Sequence, residues 1–538
     1  MRRDRPRAGA ALTFACCALL LATLVAAGCS PGDERRVETA QDRPNVLWII
    51  WDTVRADRLS LYGYELPTTP FLEQWSREAR VFDNCISTAS STVPSHASMF
   101  TGLLPSEHGA YHTHRKLDGA KVTVAELLRD AGYQTYLFAA NPHLQEAQGF
   151  QQGFDVHEHP WSDPFHAKAL AIVRGKIDPE DRSSGLPTRL QSSKVKEWAI
   201  KASGELAQEA LLAWLERRDR NRPYFAFLNY MEAHTPYIPP RHFREKLHPP
   251  ELVERSYRID NSYGTRWAFT FGEYDYPAGD LEALGATYDA ALLELDTLFR
   301  ELIDGLRQSG HLENTVIILS SDHGEHLGEH HLVDHQYSLY DPLLRVPLVV
   351  RYPERFAPDR DSSPVVTFDI FPTVLELAGV EAPGNAGSQA TSLLHPRASR
   401  IRLAEYPAVF APAIGATLLR YPDWDPAPWK RRLRALYRDR YKLLCSTDGK
   451  HELYDLDSDP GELEDLSAAR PDLSAGMLDD LLELGSTLQV AAAGAEVELS
   501  EEEKRRLVAL GYLDDAPEPG ALEVATGSGC GFRVQLFQ

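Results

Sequence analysis

Two apolar runs far apart in the chain share one design. Asn45-Val46-Leu47-Trp48-Ile49-Ile50-Trp51 ends on Asp52, and Thr315-Val316-Ile317-Ile318-Leu319-Ser320 ends on Ser321-Asp322-His323. Continuous β-branched and apolar runs of this length predict strands buried on both faces, as in a parallel sheet. Thr135-Tyr136-Leu137-Phe138-Ala139-Ala140 (followed by Asn141), Tyr224-Phe225-Ala226-Phe227-Leu228-Asn229 and Arg345-Val346-Pro347-Leu348-Val349-Val350-Arg351 predict three more. Helical spacing appears over 122–132, closed by Gly132, and over 281–309, closed by Gly310. From about Pro44 to Pro396 the alternation predicts an α/β fold, a mostly parallel sheet sandwiched by helices.

After about residue 397 the pattern changes. Ile401-Arg402-Leu403-Ala404, Leu433-Arg434-Ala435-Leu436-Tyr437 and Tyr441-Lys442-Leu443-Leu444-Cys445 predict short strands, with an Asp448-Gly449 turn before Glu452-Leu453-Tyr454. A helix over 475–488 and a capped one from Ser500 follow. Residues 397–515 are expected to form a small antiparallel sheet with helices, and 516–538 a poorly ordered tail. Two charged, Pro/Gly-punctuated stretches, 160–194 and 248–280, are expected to be insertions at the pocket mouth.

The N-terminus carries an address. A basic start is followed by an apolar run from Ala8 to Gly28 and then Cys29, which predicts an export signal. The ending Ala26-Ala27-Gly28-Cys29-Ser30 resembles a bacterial lipoprotein cleavage box. Residues 1–29 then form the signal, Cys29 becomes the lipidated N-terminus, and 30–43 form a polar tether in a protein of the cell envelope, facing the periplasm. A retained membrane anchor is the alternative reading of the same run. The 538 residues carry a formal net charge of −22, which argues against nucleic acid as a partner. Outside the signal only Cys85, Cys445 and Cys530 remain, and their spacing implies no disulfide framework.

The candidate chemistry starts at Thr92-Val93-Pro94-Ser95-His96. Pro94 fixes its own φ and biases Val93 away from helix, and Ser95 is an N-cap candidate. The Thr92 hydroxyl is thus expected at a helix N-terminus, where N–H groups and the dipole favour an anion. That suits a nucleophile for a sulfate or phosphate ester; an ordinary capped helix is the alternative. In open α/β sheets ligands bind beyond the carboxyl ends of strands, where Asp52 and Asp322-His323 are expected. Two carboxylates, an imidazole and a hydroxyl make a divalent-metal site, although a strand-end Asp alone is often a turn former.

These pieces together resemble the sulfatase family of the alkaline phosphatase superfamily. Thr92-Val93-Pro94-Ser95-His96 followed by Thr101-Gly102 matches its Cys-x-Pro-Ser-Arg…Thr-Gly motif with two substitutions. Asp52 matches the family's N-terminal acids, Asp322-His323 its later metal pair, His234-Thr235-Pro236 its His-x-Pro element, and His335 a Lys or His that follows the metal pair. The likeness continues through Asp369-Ile370-Phe371-Pro372-Thr373 and Glu452–Glu462, covering about 44–515. It implies an alkaline-phosphatase-like fold and one divalent cation held by Asp52, Thr92, Asp322 and His323. An all-oxygen shell suits Ca²⁺, and the imidazole moves the preference toward Mn²⁺ or Zn²⁺. It also implies catalytic roles for Thr92, His234 and His335, and a substrate contact for Asn141, for which capping the next turn is the alternative.

Three departures shape the expectation. Thr92 replaces the Cys that becomes formylglycine, so Thr92 must form a true ester that water later cleaves. His96 replaces Arg and either assists Thr92 or fixes the turn. Asp52-Thr53 replaces paired acids. His326, His330 and His331 read as partly exposed loop residues without a role, and His112, His114, Arg115 and Lys116 as pocket lining or a basic loop. The expected protein is a metal-dependent hydrolase acting on a small-molecule, glycan or lipid ester of sulfate or phosphate. A phosphodiesterase or phosphonate-ester hydrolase, a headgroup phosphotransferase, or a non-catalytic binding protein are the alternatives.

Overall fold

The computed structural model describes residues 43–111, 116–181, 193–383, 389–491, 495, 497, 499–509 and 530. The signal, Cys29, most of the tether, His112, His114 and Arg115 lie outside them. Among the described residues no helix is long and apolar enough to cross a membrane.

The main sheet has eight strands: β1 Asn45–Trp51, β2 Arg80–Phe82, β3 Gln134–Ala139, β4 Val156–Glu158, β5 Tyr224–Tyr230, β6 Thr315–Ser320, β7 Leu348–Arg351 and β8 Asp359–Asp361. Their order is β8-β2-β7-β6-β1-β5-β3-β4. Only β7 runs against its neighbours. β1 sits at the centre, with Val46 opposite both Phe225 and Val316. Its side chains alternate between two cores: Leu47, Ile49 and Trp51 face one, and Val46, Trp48 and Ile50 the other. Helices cover both faces, so a strand here has no wet side and its run is continuously apolar.

On the second face lie α1 Thr92–Thr101, α2 Val124–Asp130 and, later in the chain, α5 Ile370–Leu377; on the first lie α3 Ser203–Arg217 and α4 Asp280–Gln308. All ten residues of α1 are buried. Its N-cap is Ser91, in extended conformation, with Thr92 as first helical residue, so Ser95 is inside the helix rather than capping it. Val93 is helical despite preceding Pro94, because a proline in the first turn forfeits no intrahelical bond. Gly102 ends α1 at φ 70°, and a Cβ there would stand 2.8 Å from the Phe371 ring. Thr123 and Glu126 form the capping box that starts α2.

The second sheet is antiparallel throughout, in the order β9 Arg402–Tyr406, β10 Leu433–Arg438, β11 Tyr441–Ser446, β12 Glu452–Asp455. Helix α6 Pro471–Thr487 packs on it. The change of pattern expected near 397 falls between α5 and β9, and both sheets belong to one compact unit. The expected absence of a disulfide is corrected: Cys445 on β11 pairs with Cys530, 85 residues away. Sequence spacing carries no trace of a pairing that depends on where the chain end returns. Cys530 is buried, and its carbonyl accepts a hydrogen bond from Arg434 at 2.9 Å, so this point of the expected tail is packed. The stretch 160–194 contains a helix, His166–Lys176, and 248–280 contains two, Pro250–Ser256 and Tyr263–Thr270.

Candidate active site

The carboxyl ends of β1, β5 and β6, together with the N-terminus of α1, converge. Asp52 follows β1, and its N–H donates to the Tyr230 carbonyl at 2.9 Å, extending the ladder by one residue. Its Oδ2 accepts from Asn141 Nδ2 and Asn229 Nδ2, both at 2.9 Å. Its Oδ1 has no hydrogen-bond partner. Asp322 follows β6 in the same way. Its Oδ1 accepts from the Thr53 and His323 backbone N–H groups at 3.2 and 3.0 Å, and its Oδ2 has no hydrogen-bond partner. Burial pushes both carboxyls up to about 7.

His323 completes the group. Its Nδ1 lies 2.9 Å from the Gly324 carbonyl, which can only accept, so Nδ1 carries the proton and Nε2 the lone pair. Burial, then the neighbouring His335, hold this imidazole down at about 3. Nε2 stands 3.4 Å from Asp322 Oδ2 and 3.4 Å from Thr92 Oγ1. Ligand atoms of Asp52, Asp322 and His323 all lie within 4.8 Å of one another. Unpaired acceptors facing each other in a buried space are costly unless a cation sits among them, and this donor set fits a divalent metal.

The hydroxyl of Thr92 is also 3.4 Å from Asn141 Nδ2. Asn141 thus bridges Asp52 and Thr92, while its Oδ1 accepts from the His143 N–H at 3.0 Å and caps the next turn. The position of α1 is set through Asp322: Ser87 and Ser95 both donate to the Asp322 carbonyl, Ser95 at 2.6 Å. His96 Nδ1 donates to the Thr92 carbonyl at 3.0 Å and lies 3.5 Å from Asp322 Oδ2. Its ring is enclosed by Phe100, Phe150 and Phe227, and burial holds it near 3. This arrangement ties the His96 ring to the backbone of the turn that carries Thr92.

A second cluster adjoins the first. His335 lies with its ring centre 4.6 Å from that of His323 and 5.3 Å from that of His234. Its Nδ1 is held by Glu325 Oε1 at 3.0 Å and Asp334 Oδ1 at 2.9 Å. Burial alone would depress this imidazole, but the two carboxylates outweigh it and raise His335 to about 10. Asp334 in turn lies 3.5 Å from Arg266, and Arg266 and His335 overcome burial to keep its carboxyl well below the usual range. Burial raises Glu325, whose other oxygen accepts from the Tyr237 hydroxyl at 2.9 Å. His234 behaves oppositely. Its Nδ1 donates to the Thr235 carbonyl at 2.6 Å, and burial, with His335 and Lys201 nearby, holds it well below its usual value.

The Thr92 segment opens onto a cleft shared with Tyr111, His143, Gln336, Tyr406 and Phe410, so the residues around β9 form one wall of the mouth. His326 departs from its expected place in a partly exposed loop: it is buried and 2.8 Å from the Ser338 hydroxyl, whereas His330 is partly exposed and His331 exposed. Lys116 is half-buried and is not among the cleft residues. Sequence reasoning assigned no role to Asn229, Glu325, Asp334, Arg266 or His143. Asn229 carried the signal that singled out Asn141, a polar residue closing an apolar strand. Glu325 stands two residues past His323 in the same run.

Known proteins share this architecture. Residues 44–380 match the Sulfatase family, and residues 328–483 match the C-terminal part of N-sulphoglucosamine sulphohydrolase. N-acetylglucosamine-6-O-sulfatase of Bacteroides thetaiotaomicron is 24% identical over 517 residues, covering 83% of this chain and 86% of its own. A structure solved with its substrate D-glucosamine-2-N,6-O-disulfate superimposes with a TM-score of 0.59 at 20% identity, over 82% of this chain and 98% of its own. The phosphonate monoester hydrolase of Agrobacterium radiobacter does so with a TM-score of 0.61 at 21% identity, over 82% and 96%. The eight-stranded sheet, the strand-end acids and the matched span lead to one conclusion: the chain belongs to the sulfatase family, whose members are ester hydrolases that generally use a divalent metal ion.

Proposed function

We propose that this protein hydrolyses a sulfate-type or phosphate-type ester through attack by Thr92 Oγ1, in a site that takes one divalent cation. One observation carries the reading: Asp52 Oδ1 and Asp322 Oδ2 have no hydrogen-bond partner, ligand atoms of Asp52, Asp322 and His323 lie within 4.8 Å of one another, and His323 Nε2, which keeps its lone pair, stands 3.4 Å from the Thr92 hydroxyl. Asp52, Asp322 and His323 would hold the cation beside Thr92, and Mn²⁺ or Zn²⁺ suits the imidazole better than Ca²⁺. A cation bound there supplies Lewis acidity and makes a nearby hydroxyl more acidic.

The chain's own groups do the rest. Asn141 and the Thr92–His96 turn orient the hydroxyl. Thr92 gives its hydroxyl proton to solvent as Oγ1 forms a bond to the sulfur or phosphorus, and the bond to the leaving oxygen breaks, giving an ester on Thr92 and, once that oxygen is protonated, a free alcohol. His335, kept protonated by Glu325 and Asp334, gives its Nε2 proton to the leaving oxygen. Water then attacks the Thr92 ester at sulfur or phosphorus, releasing the acid and restoring the hydroxyl. His234, neutral with its lone pair on Nε2, accepts a proton from that water and passes it to the departing Thr92 oxygen, while solvent returns a proton to His335.

The nucleophile itself favours phosphorus. An aldehyde hydrate expels sulfate with its second oxygen; threonine has no second oxygen, so its ester leaves only by attack at the central atom. The likeness to phosphonate monoester hydrolases supports this second reading of the substrate. Intact-protein and peptide mass spectrometry after trapping with aryl sulfate, aryl phosphate or aryl phosphodiester tests both. The expected result is an adduct on the Thr92 peptide, and its element ranks the substrates. Turnover that persists in Thr92→Ala would overturn the nucleophile. The sequence before residue 44 supports an exported, Cys29-lipidated protein at the periplasmic face of the envelope, acting on a small-molecule, glycan or lipid ester. Metabolic labelling with a fatty acid, lost in Cys29→Ala, tests that address.

A further inference from the structure

The Met231–His234 turn is the platform on which His234 stands. It leaves β5 at its carboxyl end, and the His234 N–H donates to the Met231 carbonyl at 3.3 Å. A side chain from an earlier part of the chain reaches both ends of that turn. Lys201, 1% exposed, donates from Nζ to the Met231 carbonyl at 2.7 Å and to the His234 carbonyl. No pattern in the sequence marks this lysine, and the resemblance to the family assigns it no role.

The surroundings hold the lysine in place. Within the turn, Glu232 accepts from the Ser203 hydroxyl at 2.6 Å and the Gly204 N–H at 3.0 Å. Ser203 also accepts from the Met231 N–H at 2.8 Å. Beyond Glu232 stands a second buried lysine, Lys176, within 3.5 Å of Glu232, 3.1 Å of Glu205 and 2.9 Å of Glu294. Residues 201–204 thus grip the turn at its carbonyls, its carboxylate and its first N–H. Burial pushes the Lys201 ammonium down to about 7 against the pull of Glu232. The two hydrogen bonds need only two N–H groups, which an amine and an ammonium both provide.

We infer that Lys201 is a positioning residue for the reaction: it sets the place of His234 by spanning the Met231 and His234 carbonyls. The inference rests on the reading that His234 faces the reacting ester. A structural lysine would affect stability alone. A positioning lysine moves the imbalance between kcat and KM, because a displaced proton-handling group harms the transition state more than substrate binding.

The test compares Lys201→Gln and Lys201→Ala with wild type as full-length proteins. Gln keeps a polar group in the space and guards against an unfolded variant. In Lys201→Gln, kcat is expected to fall on the order of 10²-fold with KM little changed, as for a small misplacement of a reacting group. Added propylamine is expected to restore a large part of kcat in Lys201→Ala and to leave wild type unaffected. Histidine-labelled NMR gives a readout that needs no turnover: the His234 ring signals shift in Lys201→Gln while those of His108, buried elsewhere, do not. Unmoved His234 signals, or a kcat equal to wild type, would overturn the inference. Moved signals with no turnover in wild type on any ester would keep the positioning role and reject the hydrolase reading instead.

Discussion

Two clusters of carboxylates and imidazoles lie against each other at the top of the sheet, and they handle charge in opposite ways. Around Asp52, Asp322 and His323 the acids are served by amides and backbone N–H groups, and among the described residues no lysine or arginine side chain bonds to them. Around His335 the acids Glu325 and Asp334 are matched by the imidazole they protonate and by Arg266. On the proposed reading the first cluster imports its positive charge; the second carries its own. Burial magnifies the difference, because an uncompensated carboxylate is costly in a low-dielectric interior whereas a paired and hydrogen-bonded one is tolerated. On the proposed reading, the first takes an exchangeable ion and the second holds a fixed proton.

The largest effect that sharpens the contrast is catalytic. Thr92→Ala, which removes the hydroxyl beside His323 and Asn141, is expected to lower turnover on the order of 10⁴-fold or more, measured on the best ester of the panel. The next concerns stability. Asp334→Asn breaks the self-contained cluster, leaving Arg266 without its carboxylate and His335 with Glu325 alone, and is expected to cost about 3 kcal/mol in chemical denaturation with or without divalent cations. Addition of Mn²⁺ or Zn²⁺ to chelator-treated protein is expected to stabilise it by about 2.7 kcal/mol at a hundredfold excess over the dissociation constant. Thermal melts read this gain, which is expected to vanish in Asp322→Asn. The smallest effect is the most diagnostic. In cation-free protein, Asp322→Asn removes an unpaired buried charge and is expected to change stability by no more than about 1 kcal/mol in either direction. A loss as large as that of Asp334→Asn would break the comparison.

The import cluster was legible because each member closes a recognisable element. Asp52 and Asp322-His323 end continuous apolar strands, and Thr92 starts a helix beside a proline. The self-contained cluster was legible only in His335. Asp334 and Arg266 sit where no periodicity points to them, Asp334 in a two-residue strand and Arg266 inside a stretch read only as an insertion. Their meeting depends on how 263–270 packs against Val333 and Asp334, a long-range event that no window of sequence contains. Lys201 was illegible for the same reason, since its partners are backbone carbonyls 30 and 33 residues away. The Ser95 cap was misplaced by one helical turn, because Pro94 is as comfortable in a first turn as before a helix.

Thr53 extends the consequence to the choice of substrate. At φ 64° it turns the chain so that its N–H reaches Asp322, its hydroxyl donates to the Ala233 carbonyl at 2.8 Å, and its own carbonyl accepts from Tyr288 at 2.7 Å. A side chain so committed cannot stand in for the second acid that the resemblance places there. With one negative charge fewer, the loaded centre has a more positive electrostatic balance. On the proposed reading such a centre would reward a doubly ionised ester over a singly ionised one, and a phosphate monoester dianion is expected to gain more from it than a sulfate monoanion.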